Sequence, residues 1–282
     1  VRNPIELFTL LDTYIRLPNK VLITTRFREF KADYHIEVGG MNDVEAEELI
    51  HNSAINLGIH NILTKEYIED LITESGGHPY VIKILLGEIA KARKIVKVER
   101  IVADSDQILK ALFERTYNTL TPAAKRVFLT LCNWRSIVPQ IALEAVLLRV
   151  PNERMDVLKA IDELSRSSFI EVIESTLDDQ VFISVPIVSK LFGKKKLSVS
   201  PMKSAIEADT SLLQAFGNVL PSDVNSGVGP RIEKLFKYVA EKVNNNKEEL
   251  ESHIPIIEFL ASKYPRAWLM IASLYEESGT EN

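Results

Sequence analysis

The sequence has almost no cysteine and no long apolar stretch. Cys132 is the single cysteine among 282 residues, so no disulfide can form within the chain. Such a chain fits a reducing compartment, and we expect a cytoplasmic protein. No run approaches the roughly 20 apolar residues of a membrane-spanning helix, and no secretory signal is visible. Cys132 lies in the apolar run VFLTLCNW, which predicts a buried core thiol.

Strong positive charge and recognisable catalytic motifs are also missing. The net charge of -5 does not favour DNA or anionic membranes as partners. No nucleophile motif such as G-x-S-x-G occurs, so no catalytic residue is predicted. None of the five histidines pairs with Cys or His at the spacing of a metal site, so no metal ligand is predicted either: His35, His51, His60, His78 and His253.

The first 41 residues have the pattern of a parallel α/β unit. Asn3 and Pro4 predict the start of a helix that ends before Pro18. Residues 20–25 are apolar without alternation, which predicts a strand buried on both faces, and residues 34–38 predict a second strand. Because one or two strands cannot form a stable sheet, we expect the sheet to continue before Val1, within a longer protein.

After Gly40 the chain is predicted to be mainly helical. Helices capped by Asn42 or Asp43, by Thr64 and by Asp104 or Ser105 are expected near 43–57, 64–75, 79–94 and 105–118. The next unit is predicted to contain helices from Thr121-Pro122, over 139–149 and over 152–166, then strands at 169–173 and 181–184 around a turn at Asp178-Asp179. Three helices closed by a hairpin are typical of a winged-helix domain.

The C-terminal third changes composition twice. Residues 194–230 predict a linker with one helix near 203–216, and the triplet Lys194-Lys195-Lys196 predicts a solvated loop. Helices are then expected near 231–244, 247–263 and 265–278. The last has the large-small-aromatic spacing that begins a tetratricopeptide repeat, although one copy also fits an ordinary amphipathic helix: Trp268, Ile271, Ala272 and Tyr275.

Two short motifs are candidates for ligand contact. The triplet Thr24-Thr25-Arg26 ends the predicted strand, and ligands of open α/β sheets bind at the carboxyl ends of strands. An arginine there offers a fixed positive group to phosphate, although an arginine that merely closes a strand is the alternative. The run Gly76-Gly77-His78-Pro79 predicts a tight corner between two helices.

In this order, the runs KVLITTR, YHIEVGGM, DVEAEELI and GGHPYVIKILLGEIA resemble the STAND class of signalling ATPases, which includes the NB-ARC proteins. The resemblance covers roughly residues 5–193. It implies that Thr25 and Arg26 sense the terminal phosphate, and that Gly77 and Pro79 form a Gly-x-Pro corner whose proline contacts adenine. It also implies a switch, with defence or transcriptional control as outputs, in which the domains close over ADP or ATP and C-terminal repeats sense a trigger.

Two departures from that family bear on activity. The sequence has no G-x-x-x-x-G-K-[ST] phosphate loop and no apolar strand ending in an Asp for magnesium. We therefore expect no tight ATP binding and no hydrolysis by this chain, whereas the full-length protein is expected to bind ATP or ADP with Mg²⁺ and to be an ATPase. Many relatives also carry a histidine where this sequence has Val185, which cannot donate a hydrogen bond to the β-phosphate.

The predicted fold class is mainly α, with the remnant of a parallel α/β nucleotide-binding sheet. The predicted domains are the end of that α/β domain (1–41), a helical domain (42–119), a winged-helix domain (120–193), a linker with one helix (194–230) and a tetratricopeptide-like helical start (231–282). Expected partners are the upstream half of its own nucleotide-binding domain, a trigger bound by the repeats, and further copies of the chain, but no membrane.

Other functions fit part of the pattern. A winged helix can read DNA, but segment 153–166 has three basic and four acidic residues, so specific DNA binding is not expected. An ATPase of the origin-recognition type also joins a helical domain to a winged helix, although Thr-Thr-Arg fits the signalling class better. A pure scaffold would need more of the helical repeat than residues 231–282 contain.

Overall fold

The computed structural model describes most of the chain from residue 38 onward. The described residues are 9, 11, 13, 20–22, 36, 38–95, 105–134, 137–149, 152–174, 181–213, 229–245, 248–265, 267–269, 271 and 272. Contacts divide the chain into two units, residues 1–39 and 40–282. The described part is mainly helical with one small antiparallel sheet. Within it, no helix combines the length and the apolar character needed to cross a bilayer.

In the first unit, the predicted strands are not found at the residues that are described. Residues 20–22, 36 and 38 lie outside regular structure and their side chains are exposed. A strand needs a hydrogen-bonded neighbour, which an apolar run cannot supply by itself. Residues 9, 11 and 13 are helical, in the stretch where a helix is predicted.

Four helices open the second unit: α1 (Asp43–Asn56), α2 (Lys65–Ser75), α3 (Pro79–Ala92) and α4 (Ser105–Thr119). Asn42 begins α1 with a capping box, in which its side chain accepts the Glu45 N–H at 3.0 Å and the Glu45 carboxylate accepts the Asn42 N–H. Thr64 caps α2. These helices lie where the sequence predicts them, because local side chains fix where they begin.

A three-stranded sheet and three helices follow. They are α5 (Pro122–Asn133), β1 (Val138–Pro139), α6 (Gln140–Leu147), α7 (Val157–Arg166), β2 (Glu171–Glu174) and β3 (Val181–Ser184). The sheet order is β1-β3-β2, and both pairings are antiparallel. The predicted hairpin is therefore present, while its turn at Asp178-Asp179 lies outside the described residues.

Two predicted boundaries in this region are wrong. Helix α7 begins at Val157 instead of residue 152, because the Asp156 side chain accepts the Lys159 N–H at 3.0 Å and caps the helix there. The lysine triplet is not in a loop. It lies in α8 (Ile187–Ser198), where Lys196 pairs with Glu114 at 2.6 Å.

The C-terminal part contains α9 (Lys203–Leu213), α10 (Gly229–Asn245) and α11 (Glu248–Lys263). Helix α9 packs on α5 and α6, and α11 packs on α10 and α6. Residues 267–269, 271 and 272 are also helical; among them Ile271 is buried and Trp268 is exposed. Because Tyr275 lies outside the described residues, the repeat stays a prediction.

Candidate functional site

The corner between α2 and α3 is built by two glycines, a histidine and a proline. Gly76 ends α2 with φ 58°, and Gly77 follows with φ 68°, in the left-handed region that favours glycine. Pro79 is the first residue of α3. The Nδ1 atom of His78 accepts the N–H groups of Tyr80 at 3.2 Å and Val81 at 3.4 Å, so the histidine caps the helix.

The glycines of this corner are also required by a second backbone segment. The Met41 N–H donates to the Gly77 carbonyl at 2.9 Å. A Cβ added to Gly77 would collide with the Met41 carbonyl, and one added to Gly40 would collide with the Gly76 carbonyl. Packing alone therefore accounts for glycine at 40 and 77.

The start of α3 has its N–H groups occupied within the chain. A helix start can bind an anion through free N–H groups, but two such groups of α3 already donate to His78. Pro79 is exposed at the same corner. The first N–H groups of α3 are therefore not free to bind an anion, and Pro79 is an exposed residue of this corner.

Tyr80 connects this corner to the region around the sheet. Its phenol donates to the carbonyl of Ser168, a non-glycine residue with φ 58° just before β2. The next carbonyl along the chain, that of Phe169, accepts the Ser189 hydroxyl of α8 at 2.9 Å. Burial is the main cause that raises the pKa of Tyr80. A role for Tyr80 is not predicted from the sequence. The feature that could have indicated one is an aromatic residue directly after the proline that begins α3.

Val185 lies two residues before the first residue of α8, Ile187. It follows β3 and is half-buried against the core, while Pro186 begins the turn into α8. Residues 168 and 169 thus connect the Gly77 and Pro79 corner, through Tyr80, with the start of α8, through Ser189. Thr25 and Arg26, the two other predicted site residues, lie outside the described residues.

A cluster of rings extends this contact, and we call it the aromatic junction. The ring centroid of Phe113 on α4 lies 5.5 Å from Tyr80, 5.3 Å from Phe169 and 5.2 Å from Phe192. Phe128 on α5 adds an edge-to-face contact with Phe169 at 4.8 Å. The rings come from α3, α4, α5, α8 and the segment before β2, so they join α3 and α4 to the sheet region.

Close backbone packing and ion pairs support the same junction. Gly87 of α3 lies so near the Arg166 carbonyl that a Cβ would collide with it. Lys91 of α3 pairs with Glu163 of α7 at 3.4 Å, and Glu163 accepts the Thr121 hydroxyl at 2.6 Å. Helix α7 therefore has part of its surface committed to contacts within the chain.

The remaining surface of α7 is a poor match for DNA. Lys159 pairs with Asp156 at 2.9 Å, and Arg166 pairs with Asp162 at 2.9 Å. A phosphate would have to compete with these carboxylates for each cation. Each of these two cations is therefore paired with a carboxylate of its own segment.

Comparison with known proteins gives no match from which a role of this site could be inferred. A scan against protein-family models matches none of them, and a search of curated proteins finds no significant match. Across the described ranges, no group of three or more His, Cys, Asp or Glu side chains could hold a metal ion.

Proposed function

We propose that the chain is the regulatory part of a STAND-type, ATP-dependent signalling switch. In this proposal residues 42–119 form the helical domain and residues 120–193 the winged-helix domain. Both close over ADP or ATP with Mg²⁺ held by the upstream nucleotide-binding domain, while the C-terminal helices respond to a trigger. The observation that carries the proposal is the hydrogen bond from Tyr80 to the Ser168 carbonyl, because the next carbonyl, that of Phe169, accepts the Ser189 hydroxyl of α8.

The order of elements also supports the winged-helix part. A helix, a short strand, two helices and a hairpin follow each other, and the first strand pairs with the last. This is the arrangement of a helix-turn-helix variant with a wing. Since α7 packs on α3 and its cations are paired, we propose that this domain works through contacts inside the protein.

The two family positions would then have different tasks. Pro79 would contact the base, because the N–H groups next to it are capped by His78. Val185 would contribute an apolar contact without a hydrogen bond to phosphate. Discrimination between ATP and ADP would therefore fall to Thr25 and Arg26. Arg26→Ala in the full-length protein should weaken ATP binding more than ADP binding, as measured by calorimetry.

The proposal is tested with two matched proline variants of the full-length protein. Pro79 and Pro122 are both exposed and both occupy the first position of a helix. Pro79→Ala should weaken ADP and ATP equally, by about 3- to 10-fold, through the loss of apolar contact. Pro122→Ala should leave both affinities unchanged. Equal effects of the two variants, or none from Pro79→Ala, would refute the assignment.

A second experiment uses the 282-residue chain alone. It contains no phosphate loop, which supplies most of the phosphate contacts in such enzymes. Calorimetry with Mg-ATP should therefore show no binding in the micromolar range. A micromolar dissociation constant would mean that the chain holds a nucleotide by other residues, contrary to the proposal.

A further inference from the structure

A fully buried carboxylate lies where α9 packs on α5 and α6. The side chain of Asp209 on α9 is 0% exposed. Its Oδ2 accepts from Nη2 of Arg126 on α5, and its Oδ1 accepts from Nη1 of Arg149 at 2.7 Å and from Nδ2 of Asn152 at 3.1 Å. We call Asp209, Arg126, Arg149, Asn152 and Thr130 the ionic junction.

The ionic junction is hydrogen-bonded within itself as well. Arg126 donates to the Asn152 side-chain oxygen and to the Thr130 hydroxyl, both at 3.1 Å. Arg126 is nearly as buried as Asp209, whereas the Arg149 side chain keeps 21% of its surface exposed. Next to it, Asn133 of α5 donates to the Thr210 hydroxyl at 2.9 Å. This amount of directed bonding fixes the position of α9 on α5.

Such a junction favours two discrete states. A small displacement of α9 would take the Asp209 carboxylate away from its hydrogen-bond donors before water could reach it, so intermediate positions of α9 are disfavoured. When α9 leaves entirely, all three ions regain water, which offsets much of the lost attraction. A purely apolar interface has no such compensation on separation. Helix α9 is therefore either seated or released.

Helix α6 couples α9 to the rest of the C-terminal part. Helices α9 and α11 both pack on α6, and Arg149 lies two residues beyond its end. Removal of α9 exposes apolar residues of α6 beside the position of α11, which weakens the seat of α11. The two helices thus share one support.

We propose that α9 is a latch that holds the C-terminal helices on α6. When Asp209 leaves Arg126 and Arg149, α9 and α11 leave α6 together, while the α5–β3 region and α1–α3 stay folded. The latch goes beyond the nucleotide-switch proposal and does not rest on it, because it involves none of the residues assigned to nucleotide. It gives the C-terminal helices a defined way to signal to the sheet region.

Hydrogen exchange of the 282-residue chain, followed by mass spectrometry, tests the latch without nucleotide. Asp209→Asn should speed amide exchange in both α9 and α11 on the order of 100-fold and leave α3 and α5 unchanged. Glu207→Gln is the matched control, since Glu207 is exposed on the same helix and should change nothing. Faster exchange in α9 alone, or no change, would overturn the latch.

If Asp209→Asn unfolds the whole unit, Arg149→Gln provides the test of the latch. It removes the partner of one carboxylate oxygen and leaves the Arg126 pair in place. The same two helices should open, by about 10-fold. Exchange that increases equally over α1–α8, or that stays as in the unaltered chain, would show that Asp209 is a structural residue and not a latch.

Discussion

The region from α5 to β3 has a different kind of neighbour on each side. Helices α3 and α4 meet it at the aromatic junction, where rings stack and Gly87 touches the Arg166 backbone. Helix α9 meets it at the ionic junction, where two arginines hold a buried carboxylate. Apolar surface resists exposure to water, whereas separated ions are rehydrated. In our proposal the aromatic junction therefore stays closed while the ionic junction opens.

The largest expected effect comes from removing the central ring of the aromatic junction. Phe113 is 2% exposed and contacts three other rings. Phe113→Ala should lower the free energy of unfolding by about 4 kcal/mol, through lost transfer energy and the cavity left behind. Urea unfolding followed by circular dichroism measures it. A loss below about 1 kcal/mol would mean that the rings do not carry the junction.

A smaller loss is expected from Gly87→Ala. Alanine normally favours a helix over glycine, but here the new Cβ meets the Arg166 carbonyl, which is backbone and cannot turn away. We expect a loss of about 3 kcal/mol in urea unfolding. Gly229→Ala is the control, because its nearest neighbour is the Tyr264 hydroxyl at 3.1 Å and it should be nearly neutral. If Gly87→Ala and Gly229→Ala destabilise the protein equally, the close contact of Gly87 with Arg166 does not contribute to stability.

Alkaline pH should weaken the packing of α2, which carries Tyr67. It should not affect the ionic junction, which contains no phenol. Burial, with Glu88 and Asp70 as further causes, raises the pKa of Tyr67 from 10.0 to about 12. Stability from this neutral phenol is complete below pH 10 and is lost as the pH rises from 10 through about 12, because the unfolded chain releases its proton first. The loss should reach about 2 kcal/mol.

The alkaline prediction is checked by urea unfolding between pH 8 and pH 11.5. Tyr67→Phe should reduce the pH dependence relative to the unaltered chain, since no proton is released from that position, while Tyr80 and Tyr117, whose pKa values burial also raises, keep the remainder. Asp209→Asn should leave the slope unchanged. If Tyr67→Phe keeps the full slope, the dependence comes from other groups.

Tyr80→Phe should have the smallest effect. The ring stays in the cluster, but the Ser168 carbonyl loses its phenol donor, which is expected to lower the free energy of unfolding by about 1 kcal/mol. Tyr117→Phe is the control, because that ring packs on Phe192 at 5.6 Å in the same cluster. If Tyr80→Phe lowers the free energy of unfolding no more than Tyr117→Phe does, the hydrogen bond to Ser168 does not contribute to stability.

The sequence predicted what short-range chemistry decides. Asn42 and Thr64 start helices through their own side chains, and the glycine and proline of the corner impose their conformations locally. It did not predict β1, because Val138 and Pro139 form a strand only by pairing with Ile183 and Phe182. Two residues carry no periodicity from which a strand could be inferred.

Long-range polar contacts were the other gap. The content of Lys, Ser, Pro, Asn and Gly in 194–230 predicts a linker with one helix, yet Asp209 in that helix is fully buried. Its two arginine partners are 60 and 83 residues away, and Ser168 is 88 residues from Tyr80. Nothing near Asp209 or Tyr80 in the sequence marks those pairings. Of the candidate site, the corner was predicted and its connection to α8 was not.

The enclosed thiol has a consequence for how motion in this protein can be watched. Gly193 of α8 lies against Sγ of Cys132, and burial raises the pKa of the thiol. Because the thiolate is the reactive form, maleimide dyes should pass over Cys132. Two cysteines introduced by Glu207→Cys and Lys65→Cys would then take a donor and an acceptor dye without removal of the native residue. Energy transfer between them would report single openings of α9, molecule by molecule.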